Sequence, residues 1–317
     1  MKIPQGLAVS TRLRLVALST VACLVAASCT GAASPAPPAP SGASTPPADL
    51  VVGGDRPVTV HVPASYDATR PAPLLIVLHG YSGTGSGVDE YFHLAAAADA
   101  RGYVYAYPDG ATDSRGNQFW NATDACCNFS RAGVDDVAYL TSLIAEIQAK
   151  LAIDPKRIAF VGHSNGGFMT YRMACEQAGL VAAIVSVAGA TFADRSDCAP
   201  SEPVSVAQVH GTADDTIDFD GGRINGAAYP AARTTAETWA TYDGCGNEGS
   251  LLGAKVDVDA NLSDGTDPAE ASVIEWSGCR SGATVQLWTI PMGGHVPVIS
   301  PSFADAVMDF LVDHPKP

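Results

Sequence analysis
The stretch IAFVGHSNGGFM, from Ile158 to Met169, decides how this chain is read. Ile158-Ala159-Phe160-Val161 is a short apolar run of the kind that forms a buried strand. Gly162-His163-Ser164-Asn165-Gly166 follows, and the residues from Gly167 to Ala174 are compatible with a helix. G-x-S-x-G between a strand and a helix is the setting of a nucleophile elbow, where a tight, strained turn lifts a serine hydroxyl above a sheet. Gly162 and Gly166 carry no Cβ, which lets strand and helix approach closely around that turn. The helix beginning near Asn165 offers free N–H groups and a positive dipole end to a developing oxyanion. A glycine-rich turn with an incidental serine would use the same five residues, so the elbow reading requires a base and an acid elsewhere in the chain.

Partners of an elbow serine follow in the order Ser, Asp or Glu, His. Of the seven histidines, only His295 and His314 come after a suitable acid. His314 falls in the tail beyond the last expected helix, where chains fray. His295 sits in Gly293-Gly294-His295, directly after an expected strand, and is the expected base. Asp214 and Asp215 both follow the strand Val204–Val209 at its C-terminal end, where open α/β sheets bind their ligands. The spacing H-G-x-x-D favours Asp214 as the acid, with Asp215 as the alternative. Asp135 and Asp136 precede Ser164 and read as charges in the first turn of a helix. The oxyanion calls for two N–H donors: one from Asn165, the other from the loop after Leu78, where Tyr81 is the natural choice. His79, His163 and His210 read as residues that brace their own turns. Trp120 is expected either to wall the substrate cleft or to fill the core.

Working outward, strands and helices alternate. Strands are expected at 57–63, 74–78, 103–108, 180–187, 204–209 and 285–290, and helices at 89–100, 133–151, 228–242 and 300–312. Residues 251–276 add a pair of strands around the turn Asp264-Gly265-Thr266. The pattern predicts an α/β fold, a mainly parallel sheet with helices on both faces, and it holds no internal repeat.

The chain has 317 residues, 47% of them hydrophobic, and a formal net charge of −15 with no basic stripe, which disfavours nucleic acid as a partner. Lys2, Arg12 and Arg14 precede the apolar run Leu15–Ala27, a signal pattern too short to span a membrane comfortably. Val25-Ala26-Ala27-Ser28-Cys29 resembles a bacterial lipoprotein processing site, although Ala26 stands where leucine is usual; ordinary secretory cleavage is the alternative. Residues 1–28 are thus expected to be a signal peptide, with Cys29 lipidated and the only link to a membrane. Residues 29–49 are a Pro/Ala/Ser-rich tether that cannot pack a core. The catalytic domain is expected over 50–317, at the cell surface or outside the cell. Its six cysteines suggest disulfides, with 15 possible pairings. Cys245 and Cys279 bracket the insertion-like stretch and are expected to pair, then Cys175 with Cys198, leaving the neighbours Cys126 and Cys127. No C-x-x-C occurs, so a zinc site is not expected, and a serine triad needs no cofactor or metal.

The segments L-H-G-Y-S-G-T-G, W-N-A-x(3)-C-C, G-V-D-D-V, G-H-S-N-G-G-F-M-T-Y-R-M-A-C, H-G-T-A-D and G-G-H together resemble the secreted polyhydroxybutyrate depolymerase-like esterases. These are relatives of carbohydrate esterase family one, with its feruloyl and acetyl-xylan esterases. The resemblance covers roughly residues 55–315. It implies an α/β-hydrolase fold, the triad Ser164, Asp214 and His295, oxyanion donors at Tyr81 and Asn165, and disulfides formed on export. It also implies hydrolysis of a small or oligomeric carboxylic ester through an acyl-enzyme. Many of those relatives continue G-G-H with Trp-Pro, whereas Val296-Pro297-Val298 follows here, so the wall beside the histidine differs. Two other readings keep the scaffold: a serine peptidase, and a surface binding protein without catalysis.

Overall fold
The computed structural model describes residues 49–246, 248–262 and 269–317. The signal segment, Cys29, the tether up to residue 48 and the turn 264–266 lie outside the described residues. In chain order the strands and helices are β1 (Leu50–Val52), β2 (Val58–His61), β3 (Ala72–Leu78), α1 (Gly85–Phe92), α2 (Leu94–Ala100), β4 (Val104–Ala106), β5 (Ala111–Thr112), β6 (Gln118–Phe119), α3 (Asp136–Lys150) and β7 (Ile153–His163). They continue as α4 (Asn165–Glu176), β8 (Ala183–Val187), β9 (Ser205–Gly211), β10 (Gly222–Ile224), β11 (Ala227–Tyr229), α5 (Ala232–Tyr242), β12 (Ser250–Val256), β13 (Ala271–Trp276), β14 (Val285–Ile290) and α6 (Phe303–Asp313).

One sheet runs in the order β1-β2-β4-β3-β7-β8-β9-β14-β13-β12. The six strands from β4 to β14 are parallel, and antiparallel strands extend the sheet at both edges. Side chains alternate across it. Leu74, Ile76, Leu78, Ile158 and Phe160 pack with α3, α4 and α5 on one face, while Leu75, Val77, Ala159 and Val161 pack with α1, α2 and α6 on the other. That double covering is why β3 reads as a continuous apolar run, with all seven residues buried. After β3 the chain turns outward to β4, then crosses back to place β7 on β3's other side. Loops leaving β3 and β7 therefore diverge at a switch point, where such sheets open a crevice.

Two helices differ from expectation. The single helix 89–100 is two, because His93 takes φ 54° and closes α1 in a left-handed cap. The helix expected from Ala228 starts only at Ala232. Pro230 biases Tyr229 away from the helical region, and residues 227–229 instead pair with 222–224. The extra strands at 251–276 are β12 and β13, paired to the sheet edge. The cysteines pair as Cys245–Cys279, Cys175–Cys198 and Cys126–Cys127, as expected from the sequence.

Candidate active site
Ser164 sits between β7 and α4 at φ 52° and ψ −119°, a region that side chains other than glycine's rarely occupy. The sequence allows this turn because its neighbours lack side chains. A Cβ on Gly162 would come within 2.3 Å of the Gly166 carbonyl oxygen, and one on Gly166 within 2.1 Å of the Leu78 carbonyl oxygen. Substitution at either would separate elbow and sheet.

Three strand ends bring the expected partners together. His295, on the loop after β14, places Nε2 3.0 Å from Ser164 Oγ. Its Nδ1 lies 2.8 Å from Oδ2 of Asp214, which follows β9. The carboxylate can only accept, so the Nδ1–H donates to it, and Nε2 is left to take the serine proton. Asp215 instead is exposed and meets the Thr216 hydroxyl, so of the two expected acids Asp214 is the one beside the histidine. Burial pushes the Asp214 carboxyl up. Hydrogen bonds from His210, His295 and the Ile217 N–H outweigh burial and hold it well below the usual carboxylate range. His314 lies elsewhere, bonded through Nδ1 to the Phe310 carbonyl.

The loop after β3 comes close to the serine: a Cβ on Gly80 would lie 3.3 Å from Ser164 Cβ. The amide N–H groups of Tyr81 and Asn165 meet no protein acceptor among the described residues. Around Tyr81 the loop is tied down. Its hydroxyl donates to Asp113 Oδ2 at 2.7 Å and accepts from Asn117 Nδ2 at 3.0 Å. Asp113 and Asn117 gave no signal in the sequence beyond a polar turn. His79 braces the same loop, donating from Nδ1 to the Gly80 carbonyl and accepting from the Gly110 N–H at Nε2. Burial lowers its pKa, which favours this neutral role.

Trp120 requires a correction. Its ring is fully buried and walls no cleft, because the backbone around it is used to hold the elbow. Asn165 Oδ1 accepts from the Trp120 N–H at 2.7 Å, its Nδ2 donates to the Trp120 carbonyl at 2.9 Å, and the indole N–H bonds to the His79 carbonyl. Trp120 therefore positions Asn165 and the β3 loop from the core side. Asp135 and Asp136 take the structural places expected of them. Asp135 caps α3, and Asp136 accepts from Arg56 and the Asn121 N–H.

His163 donates from Nε2 to the His295 carbonyl at 2.9 Å, and Tyr91 bonds the Pro297 carbonyl at 3.0 Å. Together they fix the loop that carries His295. Desolvation lowers the His163 pKa to about 4, so the ring serves as a neutral donor. On the other flank, Phe129 packs edge-on against Tyr81 at 5.1 Å. It leads into a groove of about 610 Å³ with Asn121, Asn128, Arg172, Glu176 and Phe192 in its walls.

The prolyl oligopeptidase family matches residues 90–232. Feruloyl esterase B of Piromyces equi is 30% identical over 248 residues, covering 76% of this chain and 42% of that protein. A putative esterase of Nocardia uniformis subsp. tsuyamanensis, NocK, is 29% identical over 234 residues, covering 68% of this chain and 67% of its own length. The chain thus spans less than half of the first of these relatives. Among solved structures, an acetyl xylan esterase from Aspergillus awamori superposes with a TM-score of 0.57 at 18% identity, over 84% of this chain and 98% of that one, a likeness of fold. The mainly parallel sheet covered by helices on both faces is the α/β-hydrolase fold, and the chain is similar in sequence to feruloyl and acetylxylan esterases.

Proposed function
We propose that this protein is a serine carboxylic ester hydrolase working through an acyl-enzyme. The observation that carries the reading is the chain of contacts Asp214–His295–Ser164, at 2.8 Å and 3.0 Å. In the reaction, Ser164 Oγ attacks the ester carbonyl carbon and His295 Nε2 takes its proton, while Asp214 steadies the imidazolium. The carbonyl π pair moves onto oxygen, where the Asn165 and Tyr81 N–H groups receive the negative charge. As the oxyanion collapses, the alcohol leaves with the proton from His295. Water then attacks the acyl-enzyme, giving up its proton to His295, and the acid departs as Ser164 recovers its own. The groove beyond Phe129, with two phenyl faces among amide and charged groups, suits a polyhydroxyl leaving group such as a sugar. Names of relatives that include feruloyl esterase are consistent with this. Hydroxybutyrate esters remain in the proposed range on the strength of the sequence motifs.

A peptidase reading draws on the prolyl oligopeptidase match, which covers the elbow but not His295. One panel separates the two: aryl acetate, feruloyl, hydroxybutyrate and aminoacyl-proline substrates offered to the purified protein. Turnover of esters without peptides is expected; turnover of peptides alone would overturn the ester reading. The proposal also takes residues 1–28 as an export signal, Cys29 as a lipidated residue and 29–49 as a tether. Three disulfides support passage through an oxidising compartment. Mass spectrometry of the mature N-terminus should find a diacylglyceryl cysteine; an unmodified residue there would sink the anchor.

A further inference from the structure
Beneath the triad lies a buried polar chain that ester hydrolysis as described leaves unused. Tyr171 on α4 donates its hydroxyl to Gln208 Oε1 at 2.7 Å. Gln208 Nε2 donates to the Gly189 carbonyl at 2.8 Å and lies 3.0 Å from His210 Nδ1. His210 Nε2 lies 2.8 Å from the Ile217 carbonyl oxygen and 3.3 Å from Asp214 Oδ2. Tyr171, Gln208 and His210 are all at most 1% exposed.

The hydrogens in this chain follow from its acceptors. The Gly189 carbonyl can only accept, so the amide nitrogen of Gln208 must face it, and the same NH₂ group points its second hydrogen at His210. His210 Nδ1 is then an acceptor, and its proton sits on Nε2. Both neighbours of Nε2 accept: its hydrogen is bonded to the nearer Ile217 carbonyl at 2.8 Å, and Asp214 Oδ2 at 3.3 Å faces the positive end of the same N–H in a longer charge–dipole contact. Every contact in the chain agrees with this single assignment, so Gln208 sets which way the His210 dipole points.

We propose that His210, locked by Gln208 as an Nε2–H donor, is a positioning residue for Asp214: it shares the carboxylate oxygen that binds His295 and fixes how much charge and which direction that oxygen offers the base. The inference rests on the triad reading of Ser164, Asp214 and His295. Asp214 Oδ1 is taken by the Thr216 and Ile217 N–H groups, so Oδ2 alone serves the two histidines. The lowering of the Asp214 pKa by His210 agrees in direction with this contact. Other titratable groups around the carboxylate are His163 from the end of β7 and Tyr229 from β11, through space in both cases.

Replacing His210 by Phe keeps a ring of similar size and removes the dipole. More negative charge is then left for His295, whose imidazolium form is favoured, and Asp214 loses one of its holds. The expected result is a fall in kcat of about tenfold, near the worth of one hydrogen bond to a charged group. KM should be unchanged, and the acidic limb of kcat/KM should move to higher pH by roughly 0.5. His210→Gln restores an N–H donor and should recover kcat to within about threefold of wild type. Rates are normalised to sites titrated with a fluorophosphonate, so loss of folded protein is not counted as loss of turnover. An unshifted limb with unchanged kcat in His210→Phe, or a Gln variant as slow as the Phe variant, would overturn the proposal. If His210→Phe fails to fold, Gln208→Met takes its place, with a smaller fall in kcat and the same direction of limb shift; no change in either is again fatal. The far-downfield proton resonance of His295 Nδ1–H reads the contact without turnover. It should shift in His210→Phe even if no ester proved to be a substrate, and an unmoved resonance would count against His210 alone.

Discussion
Two buried carboxyls, Asp214 and Asp243, show that donors rather than depth decide a charge. Both are nearly inaccessible, at 6% and 0% exposure. Asp214 is surrounded by the Thr216 and Ile217 N–H groups and by two imidazoles, and it stays well below the usual carboxylate range. Asp243 closes α5; among the described residues it receives only the Val204 N–H on Oδ1, and Oδ2 has no hydrogen-bond partner. Burial pushes it up to about 7 despite the Arg280 and Lys316 charges nearby. One site keeps a carboxyl charged beside His295; the other holds a carboxyl raised to about 7, half neutral at ordinary pH.

If the charge at Asp214 exists for chemistry, removing the nucleophile should abolish activity and leave the fold alone. Ser164→Ala is expected to lower kcat on the order of 10⁴- to 10⁶-fold with an unchanged melting curve. Comparable p-nitrophenyl butyrate hydrolysis by that variant would reduce Asp214 to a structural residue. Asp214→Asn comes next, with kcat down on the order of 10³- to 10⁴-fold, because an amide can present an N–H to His295 and select the wrong tautomer. A loss confined to KM would contradict that explanation.

Stability against pH should then carry opposite signatures from the two carboxyls. Asp214, depressed in the folded state, stabilises the protein above its unfolded pKa and loses that contribution as pH falls. Asp243 is raised from 3.8 to about 7. Below about 4 it is protonated in both states. As pH rises from there toward 7 the unfolded chain ionises first, so stability declines. Asp243→Asn should remove that decline, gaining up to about 4 kcal/mol at pH 8 in urea unfolding relative to wild type. Wild-type stability that does not fall between pH 4 and 7 would refute this assignment. The smallest effect expected is at the disulfide beside Asp243. Cys245–Cys279 closes a separation of 34 residues, and replacing both cysteines by Ala should cost about 3 kcal/mol. Activity per titrated site should stay at the wild-type level, since this end of α5 touches none of the Asp214 contacts; a joint loss of rate would link the two regions.

Much of the candidate site was legible. Ser164, Asp214 and His295 each follow a strand in the order the elbow demands, and local glycines mark two of the three loops. The bracing histidines were also readable as such, since H-G and G-H turns are short and leave a ring little reach. Trp120 was harder, because a tryptophan in a polar loop fits a cleft wall and a core equally well. Only the return of that loop across Asn165 buries it. The break at His93 was illegible for a related reason: an Ala-rich run favours helix throughout, and no glycine marks the left-handed residue.

By itself, then, the sequence determined the alternation of strands and helices, the elbow turn, and the chain order of Ser164, Asp214 and His295, each after a strand. These are local matters of apolar period, glycine placement and residue type. Tertiary structure set Asp214, already favoured by the spacing H-G-x-x-D, beside His295 and left Asp215 exposed, tied Tyr81 to Asp113, and threaded Tyr171, Gln208 and His210 beneath Asp214. Those choices join residues 32 to 81 positions apart, and a hydrogen bond's direction exists only once both partners have been brought within reach.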